Sequence, residues 1–78
     1  MKSTLYFLAT RFRPDRAMIR DEWIVQAIEA PIAETVQHDG RIRRWACIEG
    51  AGGRYLRVVL LEDGETVHNA FFDRDFTP

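Results

Sequence analysis

Two arginines and a histidine in the second half of the chain, Arg44, Arg57 and His68, have the side chains best suited to chemistry. A guanidinium grips a phosphate group through a planar fork and stabilises the extra negative charge of a phosphoryl-transfer transition state. An imidazole has a pKa near neutrality, so it can take up or donate a proton at physiological pH. If these three side chains lie together, they form the catalytic site that a metal-independent ribonuclease needs.

Two Asp-Gly pairs, at residues 39–40 and 63–64, mark the elements that would bring these side chains together. An Asp-Gly pair between two β-prone runs is the strongest short-range signal for a hairpin. Two-residue turns also fix the register and therefore decide which side chains share a face. The sequence predicts an antiparallel meander of four strands, at residues 33–37, 41–48, 55–61 and 66–72.

The register implied by these turns places Arg44, Arg57 and His68 on one face of the sheet. His68 lies opposite Val59, Arg44 pairs with Val59 from the other side, and Arg57 is a diagonal neighbour of both. The glycine-rich segment 49–54 joins the second and third strands, and a loop of this length does not fix their pairing. A slip of one residue would exchange Arg44 for Arg43 and turn the wrong side chains towards the core.

The predicted register also divides the sheet into a face that a helix covers and a face that it leaves uncovered. Side chains alternate along a strand, so every second residue shares a face. The predicted covered face carries Trp45, Cys47, Leu56, Val58, Leu60, Val67, Asn69 and Phe71. The predicted uncovered face carries Tyr55, Arg57, Val59, Leu61, Thr66, His68, Ala70 and Phe72.

The first half of the chain predicts one strand and one main helix. Residues 4–9 are apolar and rich in aromatic side chains, as strands often are. Residues 21–29 carry apolar side chains with the spacing of one helical face, and Pro31 ends that helix. We therefore expect a single α+β domain over residues 1–78, in the order β-α-β-β-β-β, with the helix packed on the meander. Phe76 in the polar tail is expected to pack back on the sheet.

Composition limits the kinds of site that this chain can hold. Of its 78 residues, 46% are hydrophobic, which is enough for a core. The lone Cys47 excludes an intrachain disulfide, and one cysteine with two histidines makes no zinc site unless carboxylates contribute. No apolar run is long enough to span a bilayer, and none has the form of a secretory signal. We expect a cytoplasmic protein with no membrane contact, no metal and no cofactor.

The net charge of −1 hides an uneven distribution of charge along the chain. Residues 1–20 and 41–57 each carry a net charge of +4, whereas residues 21–40 carry −5 and residues 58–78 carry −4. The basic blocks favour a surface for nucleic acid or for an acidic partner. The alternative is mutual neutralisation across neighbouring strands, because the overall charge is far from the basic footprint of most nucleic-acid-binding domains.

Further side chains suited to RNA are Arg43, Tyr55, Phe72 and Arg74. Exposed aromatic rings beside arginines suit stacking on unpaired bases. The same rings suit a protein interface, so the leading alternative is a non-enzymatic domain that forms a homodimer or binds a partner. That interface would consist of Ile48, Tyr55, Val59, Ala70 and Phe72. For Arg44, Arg57 and His68 the alternative is a solvated strand face on which His68 is incidental. A third interpretation of the domain, a small-ligand binder, is supported only by the concavity of a twisted sheet.

The order of the motifs DGRIRRW, RYLRVVLLEDGETV and a closing DR resembles a small bacterial family of domains of unknown function. That family looks like toxins of the BrnT and RelE kind, and the resemblance covers about residues 13 to 74. It implies a compact α+β ribonuclease that arrests translation and is neutralised by a cognate antitoxin. On this resemblance, the strand arginines correspond to Arg43 and Arg44, and the arginine after the last strand corresponds to Arg74.

Overall fold

The computed structural model describes residues 1–78, in which three short helices precede a four-stranded antiparallel sheet. The helices are α1 (Leu5–Thr10), α2 (Pro14–Ala17) and α3 (Asp21–Glu29). The strands are β1 (Ala33–Val36), β2 (Ile42–Ile48), β3 (Arg54–Leu60) and β4 (Val67–Phe72), with one 3₁₀ turn at Glu49–Ala51. The strands pair in chain order, so the sheet is the meander that the Asp-Gly pairs predict.

α3 packs across β2 and β3 and α1 packs against β4, and both supply core residues, whereas α2 contacts β4 and buries none of its residues. α3 has the predicted bounds, and its Ile24 and Ala27 are fully buried. Asp21 and Glu22 lie in its first turn, where the positive end of the helix favours acidic side chains. The core consists of Phe7, Ile19, Ile24, Ala27, Ala46, Ile48, Leu56, Val58, Leu60, Val67 and Ala70. None of the helices combines the length and apolarity needed to cross a membrane.

The segment predicted as the first strand is a helix, α1. Thr4 caps it, because its Oγ1 accepts a hydrogen bond from Phe7 N at 3.1 Å and satisfies a free amide of the first turn. Phe7 and Thr10 are buried, which is helical spacing, whereas a half-buried strand would bury every second residue. Only Ser3 joins the sheet, through an isolated parallel bridge to Val67. The predicted leading strand is therefore wrong.

The turn between β1 and β2 is one residue longer than predicted. Gln37 N donates to the Arg41 carbonyl oxygen at 2.7 Å, so residues 38–40 form the loop. Gly40 adopts a φ of 91°, the left-handed conformation in which three-residue hairpin loops commonly place a glycine. The extra residue shifts β2 by one position relative to β1.

The pairing of β2 with β3 is also shifted by one residue from the prediction. Trp45 lies opposite Arg57 rather than opposite Val58, because the glycine-rich loop closes between different residues from those expected. Since a one-residue shift moves every side chain to the other face, Arg43 lies on the same face as Arg57 and Arg44 does not. The predicted placement of Arg44 beside Arg57 is therefore wrong.

A β-bulge changes the last strand. Leu60 pairs with Val67 as predicted, but Val59 pairs with Asn69, which leaves His68 as an extra residue in β4. A bulge of this kind reverses the alternation of side chains beyond it. Beyond the bulge, the residues of β4 that face the core are therefore those that an unbroken two-residue hairpin would place on the other face.

The observed pairing divides the sheet into two faces, which we call the covered face and the open face. The covered face, against the helices, carries Ile42, Arg44, Ala46, Ile48, Leu56, Val58, Leu60, Val67, Ala70 and Phe72. The open face carries Arg43, Trp45, Cys47, Tyr55, Arg57, Val59, Asn69 and Phe71, with His68 at the bulge. Trp45, Cys47, Asn69 and Phe71 thus lie on the opposite face from the predicted one. So do Ile48, Ala70 and Phe72, which belong to the covered face and not to the predicted interface.

Candidate nucleic-acid interface

The open face contains a hollow of about 440 Å³ beside the bulge of β4. Its polar groups come from four parts of the chain: α1, the turn before β2, the middle of β3 and the bulge. The residues that line it are Tyr6, Gln37, Arg41, Arg57, Val59, His68, Asn69 and Phe71. Two guanidiniums, one imidazole and one phenol ring therefore line a single depression.

His68 is held in place by α1. Its Nδ1 lies 3.1 Å from Thr4 Oγ1, and its ring stacks on Tyr6 with a centroid distance of 4.9 Å. Burial lowers the pKa of His68, Arg41 lowers it further, and Asp39 opposes this shift. Because its pKa lies below the ordinary value of about 6.5, the imidazole is mainly neutral at pH 7.

Arg57 stands at the centre of the open face. Its guanidinium carbon lies 5.7 Å from the ring centre of Trp45 and 5.2 Å from that of Phe71, and its Nη1 lies 3.7 Å from Asp73 Oδ2. Burial lowers the pKa of Arg57, as does Arg43, while Asp73 raises it. Even with a lowered pKa, a guanidinium keeps its charge at neutral pH. Arg57 is thus a cation held between two aromatic rings, and the Asp73 carboxylate neutralises part of its charge.

Arg41 is the second guanidinium of the hollow, and Arg43 adds a third on the same face nearby. Arg41 is half-exposed, and its Nη1 lies 3.7 Å from Asp39 Oδ2, a distance at which surface ion pairs contribute little. Arg43 Nε lies 2.9 Å from the Gln37 side-chain oxygen when that amide is turned to satisfy its neighbours. Both arginines therefore have donors that remain available to a bound anion.

An aromatic cluster occupies the other half of the open face. Phe76 stacks on Trp45 with a centroid distance of 4.8 Å and an angle of 18° between the rings, and it meets Tyr55 edge-on at 5.2 Å. Trp45 Nε1 donates to Asp73 Oδ2 at 3.0 Å. The expected packing of Phe76 on the sheet is confirmed, although it packs on the open face.

The structure brings together two of the three predicted catalytic residues, Arg57 and His68, but not Arg44. Arg44 lies on the covered face, where its Nη1 donates to the Ile28 carbonyl oxygen at 3.0 Å and its Nη2 lies 3.8 Å from Glu34 Oε1. It holds the end of α3 to the sheet and does not line the hollow. In its place the hollow has Arg41, which the predicted register did not single out.

The predicted RNA-binding residues divide between the two faces. Arg43 and Tyr55 lie on the open face, as the observed register requires. Phe72 packs against the core on the covered face, with the Arg54 guanidinium carbon 4.0 Å above its ring centre. Arg74 is exposed just beyond β4. The predicted exposure of Phe72 beside Arg57 is therefore wrong.

Two further side chains differ from the prediction. Cys47, expected to be buried, is exposed on the open face, where its Sγ lies 3.4 Å from the Gly53 carbonyl oxygen. Asn69, expected in the core, is half-buried on the open face. Its Oδ1 accepts hydrogen bonds from Arg16 Nη1 at 2.7 Å and from Ala70 N at 3.0 Å. This amide ties α2 to β4 and satisfies the polar group that burial would otherwise leave unpaired.

Sequence reasoning missed Arg41, Tyr6 and Asn69 as lining residues. Arg41 precedes Arg43 by two residues, so the correct register alone would have placed both on one face. Tyr6 reaches the hollow only because α1 is a helix lying beside β4. Asn69 faces the hollow because of the bulge, which nothing in the local sequence indicates.

No protein-family model, no curated protein and no solved structure matches this chain. The resemblance to the BrnT and RelE toxins therefore stays a prediction based on the motifs. Function has to be inferred from the groups that the open face presents.

Proposed function

We propose that the open face binds single-stranded RNA, with one phosphate group in the hollow beside His68. The observation that carries this proposal is that the hollow is lined by two guanidiniums, those of Arg41 and Arg57. Arginine forks match the geometry of phosphate oxygens and bind them through paired hydrogen bonds. This proposal agrees with the toxin-like, RNA-binding module that the sequence motifs predict.

Single-stranded RNA fits the open face better than a free anion because aromatic rings surround the arginines. Tyr6 and Phe71 line the hollow itself, and Trp45 stands beside Arg57, with its ring covered by Phe76 in the free protein. Proteins that bind single strands combine a basic groove for the backbone with rings on which unpaired bases stack. The open face has both kinds of group within one sheet.

Cleavage of the bound strand is a second candidate, favoured by the position of His68. A neutral imidazole can accept the proton of a ribose 2′-hydroxyl as that oxygen attacks the neighbouring phosphorus. The 5′-oxygen then leaves with a proton from an acid or from water, and a cyclic phosphate results. Arg41 and Arg57 would stabilise the negative charge that builds up on the non-bridging oxygens of the phosphorus.

A protein partner on the open face is the alternative that the sequence left open. Phe76 already covers Trp45 and Tyr55 from within the same chain, which reduces the apolar surface left for a partner. A homodimer through this face predicts a doubled mass in solution that returns to the monomer mass on Tyr55→Ala. A face that binds RNA does not require the protein to form a dimer.

The binding proposal is tested by fluorescence anisotropy of a short, end-labelled single-stranded RNA. We expect Arg41→Ala to weaken binding about tenfold or more, because charged hydrogen bonds to a phosphate are lost. The matched control is Arg20→Ala, which removes an exposed arginine at the start of α3 on the helical side. Equal losses in both variants would show unspecific attraction to charge, and no binding by the wild type would refute the proposal.

Cleavage is tested by incubating the same RNA with the wild type and His68→Asn in the presence of a metal chelator. We expect a product with a cyclic phosphate end from the wild type only. Intact RNA with a wild type that binds it would leave the protein as a binding module and exclude the second candidate.

A further inference from the structure

The residues after β4 lie across the aromatic half of the open face. Phe76 lies nearly parallel to the Trp45 ring at 4.8 Å, and Asp73 accepts a hydrogen bond from the Trp45 indole while facing Arg57. The tail thus places one flat ring on a tryptophan and one negative charge near an arginine. A nucleotide has the same two features, a flat base and an anionic phosphate.

From this arrangement we infer that Trp45 and Tyr55 form a stacking site for a nucleobase, which Phe76 closes in the free protein. The identity of the ligand rests on the proposed RNA-binding function. Binding of RNA displaces Phe76 and places a base on the Trp45 ring. The tail therefore competes with RNA for one subsite and does not contribute to binding.

The way in which the tail is held allows this exchange. Asp73 N donates to the Tyr55 carbonyl oxygen at 2.9 Å, which continues the pairing of β4 with β3 as far as residue 73. No backbone hydrogen bond links residues 76–78 to the sheet. The Phe76 ring is therefore held by stacking, and base stacking on an aromatic side chain is of comparable strength. Loss of the Phe76 contact can be offset by a base in the same place.

The test uses the fluorescence of Trp45 in a Trp23→Phe background, so that a single tryptophan reports on the site. In this background we compare Phe76→Ala with Phe12→Ala, which removes a phenylalanine that is 90% exposed. The ligands are adenosine monophosphate and a short single-stranded oligoadenylate. Unfolding temperatures are measured for each variant.

We expect adenosine monophosphate to quench Trp45 saturably in Phe76→Ala and much more weakly in the other two proteins. The oligoadenylate should bind Phe76→Ala roughly three- to tenfold more tightly than the parent, because the competing stacking contact has been removed. Phe12→Ala should behave like the parent. These results would support a stacking site that the tail closes.

Two outcomes overturn the inference. Weaker oligoadenylate binding by Phe76→Ala would make Phe76 part of the binding surface. Quenching by adenosine monophosphate that is the same in Phe76→Ala as in the parent, together with a large loss of stability, would show that the aromatic cluster is a small second core. If no protein binds the oligoadenylate, the proposed function fails, and the mononucleotide titration still decides whether Trp45 accepts a base.

Discussion

His68 shows how a single residue connects the hollow to the stability of the fold. Its Nδ1 lies against Thr4 Oγ1, and the same oxygen caps α1 through Phe7 N. Burial and Arg41 lower the pKa of His68, so the folded protein disfavours the charged imidazole. Protonation of this ring, the start of α1 and the shape of the hollow therefore depend on one another.

The free energy of unfolding should fall as the pH drops from about 7 through the ordinary histidine pKa of about 6.5. In this interval the unfolded chain takes up a proton that folded His68 does not accept, so acid favours unfolding. Above this interval His68 is neutral in both the folded and the unfolded state, and it no longer makes the free energy of unfolding depend on pH. Urea unfolding from pH 5 to pH 8 measures the slope, and His68→Gln should reduce it. An equal or steeper slope in His68→Gln would contradict this account.

Thr4→Ala should lower the free energy of unfolding by about 1 kcal/mol, the usual contribution of a helix N-cap. Thr4→Ser keeps the oxygen that accepts from Phe7 N and should restore most of the loss. Thermal unfolding measures both, with the exposed Thr77 changed to alanine as the control. A loss in Thr4→Ser as large as that in Thr4→Ala would show that the hydroxyl does not act as a cap.

At the scale of elements, α1 and β2 decide which side chains reach the open face. The bounds of α3 followed from its apolar spacing and Pro31, because both signals act locally. The helical nature of α1 did not follow from the sequence, since residues 5–9 form a mostly apolar run without a clear period. The position of β2 depends on two loops, and each closes one residue away from the predicted pairing. Arg57 could be foreseen because its strand is unambiguous, and Arg41 could not.

The helical form of α1 predicts different effects for its apolar residues. Phe7→Ala should lower the free energy of unfolding by about 3–5 kcal/mol, because it opens a cavity in the core. Leu5→Ala should change it by no more than about 0.5 kcal/mol, since Leu5 is 85% exposed. A strand would place both side chains on one face, so comparable losses in chemical denaturation would contradict the helix.

The observed register of β2 predicts opposite effects for two neighbouring arginines. Arg44→Ala should lower stability by about 1–3 kcal/mol, because the hydrogen bond to the Ile28 carbonyl is lost. It should leave the affinity for RNA unchanged. Arg43→Ala should reduce the slope of log Kd against log salt by about 0.7, the value for one phosphate contact to a single strand. A smaller salt slope in Arg44→Ala together with a loss of stability in Arg43→Ala would instead support the register that places Arg44 on the open face.

At the scale of the whole molecule, the two faces of the sheet have different roles. α3 covers one face across β2 and β3, while α1 and α2 lie against β4. The other face carries Arg41, Arg57 and His68 around the hollow. The two-layer α+β architecture and the meander were predictable from turn residues and alternation. The packing of Phe76 on the sheet was predicted as well. The bulge and the face on which the tail packs were not predictable, because both result from contacts between segments far apart in the chain.

The central claim, that RNA binds the open face, is tested most directly by an NMR titration of isotopically labelled protein with short single-stranded RNA. We predict that the largest shifts occur at the backbone amides of Arg41, Arg57 and His68 and at the indole of Trp45. The amides of α3, behind the sheet, should hardly move. Shifts confined to the helical side, or none at RNA concentrations that saturate a basic face, would contradict the account.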